Sequence, residues 1–332
     1  MRPNIARLVS GICAGAVIVV IAAAHSSAQS YKAPKTPWGD PDIQGNYTNL
    51  TEAGTPLERP KEYEGKQLSD ISADELRALK RQAAERTINN FLGPTEAPDN
   101  WWQVAYRNAE NGAQAWLVID PPDGKIPPLT PEAQQRQQAA AEARKRNTRG
   151  AADSYTDRSL YDRCITRGFP NSGMPTIYGN SSQIVQGPGY VAITYEMIHD
   201  TRIIPLTAAQ HLGSSIRSDF GDSRGHWEGD TLVVETTNFL ARSVYRNANP
   251  ERLKITERFT RVGPNTLRWA VTVDDATTWT KPWTFSLPLT LNSAEPMMPY
   301  ECHEGNYGLK NILSAARAED AKAAAAKESS QP

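Results

Sequence analysis

Apolar and polar side chains alternate with a period of two through much of residues 155 to 305. Val191, Ile193, Tyr195 and Met197 share one face of an extended segment, with Thr194, Glu196 and Asp200 on the other. Leu232 and Val234 alternate with Val233 and Glu235; Leu267, Trp269, Val271 and Val273 with Arg268 and Thr272; Trp283, Phe285 and Leu287 with Thr284 and Ser286. That period belongs to strands with one buried face. Turn signals at Glu228-Gly229-Asp230, Gly263-Pro264-Asn265 and Asp274-Asp275 separate the runs at short spacing, which predicts hairpins and an antiparallel meander. No strand-helix-strand repeat occurs, which argues against a doubly wound parallel sheet. A meander this long curls into a barrel or sandwich, so the expected fold is mainly β, a barrel-like core decorated by two or three helices.

Two stretches have a helical pattern instead. Over residues 69–92, Ser69 and Ser72 are candidate N-caps, Glu75 completes a capping box with Ser72, and Leu76, Leu79, Ala83 and Ile88 form a partial apolar stripe. A second helix is predicted from Pro131 to about Asn147, with Thr130 as N-cap and Pro131 at its first position; its polar and alanine-rich middle marks a solvated surface helix. Residues 29–68, rich in proline, glycine and charge, read as an extended arm lying over the core. The tail Ala315 to Pro332 has no apolar stripe and reads as a fraying helix or disorder. The chain thus divides into 29–154 (arm and helices packing on the core), 155–314 (antiparallel core) and 315–332 (tail).

The first 28 residues set the compartment. Arg2 and Arg7 precede the apolar run Leu8 to Ala24, and Ser26-Ser27-Ala28 follows, which is the anatomy of a secretory signal cleaved after Ala28. The rival reading, a membrane anchor, needs about 20 apolar residues, and the run is shorter. Nothing later in the chain is long or apolar enough to span a bilayer. The whole chain has 36 basic and 37 acidic residues, and the signal contains two arginines and no acid, so the mature charge is −3. Such an even balance disfavours nucleic acid as a partner. Loss of the signal also removes Cys13 and His25, leaving Cys164 and Cys302. In a periplasmic or secreted protein this pair reads as one disulfide closing a long loop. Two free thiols or a metal pair are the alternatives, the latter weakened by the absence of a CxxC spacing.

Five segments carry a resemblance: Trp38 to Tyr47 (WGDPDIQGNY), Asp222 to Phe239 (DSRGHWEGDTLVVETTNF), Glu257 to Val262, Asp274 to Trp283 and Cys302 to Gly308 (CHEGNYG). They resemble those of a large, uncharacterised family of secreted bacterial proteins. The resemblance covers nearly all of the chain beyond the signal and its motifs are long and specific, but it supplies no mechanism. The WEGDTLVVET stretch followed by a meander also resembles lipocalin-like barrels. That likeness rests on one hairpin signature, implies a lipocalin-like meander, and says little about chemistry.

Candidate chemistry centres on histidine, the side chain best suited to proton transfer near neutrality. His199 falls on the apolar face of a strand running from Tyr190 to Ile204, in register with Tyr195. If that face lines the barrel, both point into a cavity, with Glu196, Asp200 and Arg202 on the opposite face. The competing reading is a core histidine bonded to a backbone carbonyl. His303 lies in Tyr300 to Gly308, where a bridged Cys302 would pin the backbone; Glu301 and His303 share one face at strand spacing, Glu304 and Asn306 the other. The plainer alternative there is a stapled loop with solvated carboxylates. His211 and His226 read as loop and hairpin residues. Trp101-Trp102 and Trp116 are candidate walls of a binding site, whereas Trp269 and Trp283 fall on core faces.

The chain lacks GxSxG, HExxH, P-loop and GxGxxG motifs. The expected activity is acid-base chemistry in a barrel cavity: a lyase, dehydratase or isomerase acting on a small, partly apolar or glycosidic molecule. His199 and His303 would handle the proton, with Tyr195 and Glu304 as further catalytic groups. Arg202, Glu196, Asn306, Tyr307 and Trp116 would bind substrate, Tyr307 being a second candidate acid. No cofactor is predicted, and a divalent metal at His199 and His303 stays open. The alternatives are a non-catalytic ligand-binding barrel and a metal-assisted hydrolase.

Overall fold

The structure, a computed structural model, describes residues 31–92, 112–146, 150–176, 178–207, 210–294 and 296–329. The signal segment 1–28 and the candidate pair Trp101-Trp102 lie outside the described residues. Among the described residues, ten strands form one antiparallel sheet: β1 (Gly45–Thr48), β2 (Val118–Asp120), β3 (Ser181–Gly187), β4 (Tyr190–Tyr195), β5 (Thr201–Pro205), β6 (Asp222–Glu228), β7 (Thr231–Thr237), β8 (Lys254–Gly263), β9 (Thr266–Asp274) and β10 (Trp283–Leu291). Strands β3 to β5 make one meander and β6 to β10 another. β1 joins the two, pairing with β3 on one side and β10 on the other, while β2 takes the remaining length of the same β10 edge. The two free ends, β5 and β6, lie beside each other and nearly close a barrel. At that seam a Cβ on Gly225 would come within 2.9 Å of Ile204 and 2.8 Å of Leu206, so only glycine lets the edges approach this closely.

The mainly β barrel, with three α-helices among the described residues, is the fold the alternation predicted. Leu267, Trp269, Val271 and Val273 of β9 and Trp283, Phe285, Leu287 and Leu289 of β10 all point inward and are buried. The predicted turn at Gly229-Asp230 closes the β6–β7 hairpin, with Gly229 at φ 60°. The interior is filled. The cavity that Tyr195, Phe259 and Trp269 border holds about 20 Å³, room for a single water.

Helix α1 (Ala73–Leu92) starts on the predicted box: the Glu75 amide donates to Ser72 Oγ (3.2 Å), and the Ser72 amide to Glu75 Oε2 (2.9 Å). Helix α2 (Pro131–Arg146) is capped by Thr130, whose Oγ1 accepts the Ala133 amide at 3.1 Å; Ala133 is its one buried residue. Helix α3 (Gly308–Ser329) begins earlier than the predicted tail at Ala315. The arm also differs from expectation, because β1 and β2 are barrel strands within residues 29–154. β1 has only four residues, two of them Gly45 and Asn46, and shows no readable period. The rest of the arm builds a small second core, where buried Lys80 pairs with buried Glu52 at 2.7 Å and Glu52 also accepts the Ala113 amide.

Asp275, between β9 and β10, ties α2 to the barrel. Its carboxylate accepts from Thr277 N, Thr277 Oγ1, Thr278 Oγ1 and Asn249 N, and the Thr277 carbonyl accepts from Thr130 Oγ1. Burial pushes its pKa up, but these hydrogen bonds outweigh it and hold it below the ordinary value. A lowered folded-state pKa contributes stability above the unfolded value of about 3.9, lost as pH falls through the folded one. Asp275→Asn, which cannot accept at its amide nitrogen, should cost about 2 kcal/mol at pH 7. In urea titrations that gap should narrow below about pH 4.

Candidate functional site

The sequence places its best-anchored reactive groups around Cys302, and the structure builds a cleft there. Cys164 and Cys302 form a disulfide with Cα atoms 5.8 Å apart, in the ordinary range. It fastens the segment before α3 to the loop after Tyr161. Asn306 reinforces the junction: its Nδ2 donates to the Cys302 carbonyl (2.9 Å) and its Oδ1 accepts the Gly308 amide (3.0 Å) at the start of α3. His199 adds a third tie, its Nδ1 lying 3.1 Å from the Tyr300 carbonyl. A carbonyl only accepts, so Nδ1 is the donor in this contact.

Three tyrosines meet behind this junction. Tyr161, Tyr178 and Tyr300 border one cavity, and the Tyr178 and Tyr300 rings stack with centroids 6.5 Å apart. Burial first, and then the neighbouring Tyr178 and Tyr300 hydroxyls, push Tyr161 well above its ordinary pKa; burial likewise raises Tyr300. Both therefore stay protonated at neutral pH and work as donors. Arg167 lies within electrostatic reach of the three tyrosines and of Asp200, and burial pulls its pKa down. Its Nη1 is buried with no hydrogen-bond partner among the described residues. The tyrosines line a cavity of about 180 Å³ together with Cys302, Asn306 and Leu309. This adjoins a cavity of about 450 Å³, sharing Asp162, Asn306 and Leu309 with it and lined further by His303, Arg163 and Lys310. Arg167 lines neither cavity.

The predicted site residues are scattered across this arrangement. His199 is not in a strand: β4 ends at Tyr195, and a turn with Ile198 (φ 63°) and His199 (φ 48°) in the left-handed region reverses the chain into β5. The histidine is exposed at that turn, and it does not line the cavity that His303 borders. The reversal also puts Arg202 opposite Ile193, facing inward beside Tyr195 instead of on the outer face. There Arg202 pairs with Glu257 of β8 (2.7 and 2.8 Å), Glu257 accepts from Trp269 Nε1 (2.9 Å), and the guanidinium lies 4.2 Å from the Phe169 ring centre. Burial raises the Tyr195 pKa more than Arg202 lowers it. Tyr195 and Arg202 are thus interior groups, far too enclosed to meet a substrate.

Glu196 is spent on structure, its Oε2 accepting the Ser181 amide at 2.9 Å. Trp116 is no binding wall: it is 2% exposed and packs with Leu79, Tyr63 and the Arg59 guanidinium at 5.3 Å. His303, Glu304 and Tyr307 are exposed in a turn leading into α3, not on the two faces of a strand. Among the described residues no group of three or more His, Cys, Asp or Glu side chains is placed to hold a metal ion. Sequence reasoning missed Tyr161, Tyr178, Tyr300 and Arg167, which come from separate loops with no shared motif. It also passed over His211, which bridges Asp222 (2.9 Å) and Glu235 (3.3 Å) across β6 and β7. No family model, no curated protein and no solved structure matches this chain.

Proposed function

We propose that this is an exported acid-base enzyme of the lyase or isomerase type, working at the tyrosine-arginine cleft instead of inside the barrel. Its substrate is a small, partly apolar molecule with a carboxylate or a carbonyl that becomes an oxyanion. The observation that carries this reading is the placement of protonated Tyr161 and Tyr300 beside the Arg167 guanidinium, whose buried Nη1 has no hydrogen-bond partner among the described residues. Donors and positive charge fixed in advance stabilise negative charge as it develops on oxygen. Tyr161 and Tyr300 cannot serve as base while their pKa values are raised, so the proton goes to His303 in the adjoining cavity. Export is supported by the signal anatomy and by the disulfide.

A second reading, binding without turnover, is favoured by the same raised tyrosine pKa values, since donors alone hold an anion without transforming it. One experiment separates them. The mature protein is screened against small aliphatic and aromatic hydroxy-acids by thermal shift and calorimetry, and each bound compound is followed by NMR for proton exchange or conversion. Arg167→Met and Tyr161→Phe should each weaken binding by about tenfold or more. His303→Ala should lower kcat with little change in KM. Binding unchanged in both cleft variants removes the site; binding without conversion leaves the second reading.

A further inference from the structure

A separate groove runs between α2 and residues 241–250, sharing no residue with the tyrosine cleft. Two cavities of about 460 and 550 Å³ make it up, and both are lined by Gln137 and Asn247. Arg136, Arg144 and Arg246 border it, and among the described residues lining it none is acidic. That asymmetry stands out in a chain with 37 acidic and 36 basic residues. Arg136 is held in place by Glu132 (2.7 Å) and Thr278 Oγ1 (2.8 Å). The space exists because α2 presents Ala140 and Ala141 to Ala241 and Val244. The helix is fastened at its capped end, so its inner side leaves a gap where larger apolar residues would fill it.

The backbone of the facing loop supplies an independent observation. Arg246 (φ 49°) and Asn247 (φ 58°) are consecutive non-glycine residues in the left-handed region. Buried Tyr245 and Ala248 flank them, the Ala248 amide donates to the Tyr245 carbonyl (3.0 Å), and the Asn249 amide is held by Asp275 (2.7 Å). Strain held by anchors on both sides, at residues that line a cavity, is the pattern of a functional loop.

We propose that this groove binds an acidic oligosaccharide, a sugar chain bearing carboxylate or sulfate groups. Arg144 and Arg246 recognise its oxyanions in forks, while Arg136 stays paired with Glu132. The amides of Gln137 and Asn247 both donate and accept, which suits hydroxyl groups. Ile126, Pro127 and Leu129 provide an apolar wall for the sugar faces.

The mature protein is titrated by calorimetry at low salt with trigalacturonate, a chondroitin sulfate tetrasaccharide, polyglutamate and inorganic phosphate. At least one sugar should bind more tightly than polyglutamate and phosphate, and weaken as salt rises. Chondroitin sulfate carries both groups, so an unsulfated chondroitin tetrasaccharide titrated beside it tells sulfate from carboxylate. Arg144→Ala with Arg246→Ala should weaken that binding by more than tenfold. Arg246→Gly should do so while raising Tm, because glycine relieves the left-handed backbone, and a merely structural arginine would not give that combination. No binding by any of the sugars, equal binding of polyglutamate, or affinity unchanged in the double variant overturns the proposal. Arg167→Met should leave it intact, so its failure is distinct from that of the cleft.

Discussion

Glu257→Gln is expected to destabilise the barrel by about 3–5 kcal/mol, the cost of leaving a buried cation without its counter-charge. Arg202 is only 5% exposed and Glu257 fully buried, so water cannot take over for the lost carboxylate. Burial works against the charge of Arg202, and the Glu257 carboxylate overcomes it; the raised Arg202 pKa reports that balance. The substitution keeps an oxygen for Trp269 Nε1 and hardly changes volume, so the loss isolates charge. Replacing both partners, Arg202→Met with Glu257→Leu, should cost much less and could stabilise by about 1–4 kcal/mol. Urea midpoints of the single and double variants provide the check. A double variant as damaged as Glu257→Gln would mean that the pair is worth more than its desolvation. The pair also leaves Arg202 Nε without a hydrogen bond among the described residues, consistent with a fit that an apolar pair could equal.

Removing the disulfide is the second large effect. All eight strands from β3 to β10 lie between Cys164 and Cys302, so the bond closes a loop of 138 positions around most of the barrel. The chain-entropy model assigns such a loop about 5 kcal/mol, and measured losses for native disulfides run from about 2 to 5 kcal/mol. Cys164→Ser with Cys302→Ser should lower Tm by that measure. It should also act locally, because Tyr300 and Asn306 reach the cleft from the chain on the Cys302 side, and Tyr161 and Tyr178 from the Cys164 side. Hydrogen exchange at residues 297–307 should rise well before exchange in β9. Equal protection of the two regions would show that the His199 contact to the Tyr300 carbonyl suffices to hold the cleft.

How far the fold could be read in advance depended on how each element signals itself. β9 and β10 were plain because their inner faces are all large and apolar, from Leu267 to Val273 and from Trp283 to Leu289. The hairpin between β4 and β5 was hidden. Its turn places Ile198, a β-branched residue, at positive φ, where glycine or asparagine is the usual signal. Reading a single strand through it put His199 indoors and Arg202 outdoors, the reverse of the structure. The disulfide was legible once the signal was set aside. The tyrosine cluster was not, since Tyr161, Tyr178 and Tyr300 are gathered only by the fold, and Trp116 failed as a site residue because its partners Leu79 and Tyr63 lie well upstream of it in the chain.

The position of β1 has a consequence for how the molecule is made. Tyr47 pairs with Leu291 and Thr48 with Ser181, so β1 waits for the first meander to supply β3 and for the second to supply β10. Pairings of such long sequence separation fold slowly. Until β1 docks, β3 and β10 expose raw edges able to pair with another chain. Four residues, Gly45 to Thr48, thus act as the closing zip of the barrel, and damage to them should appear first as aggregation during folding and only second as a loss of final stability.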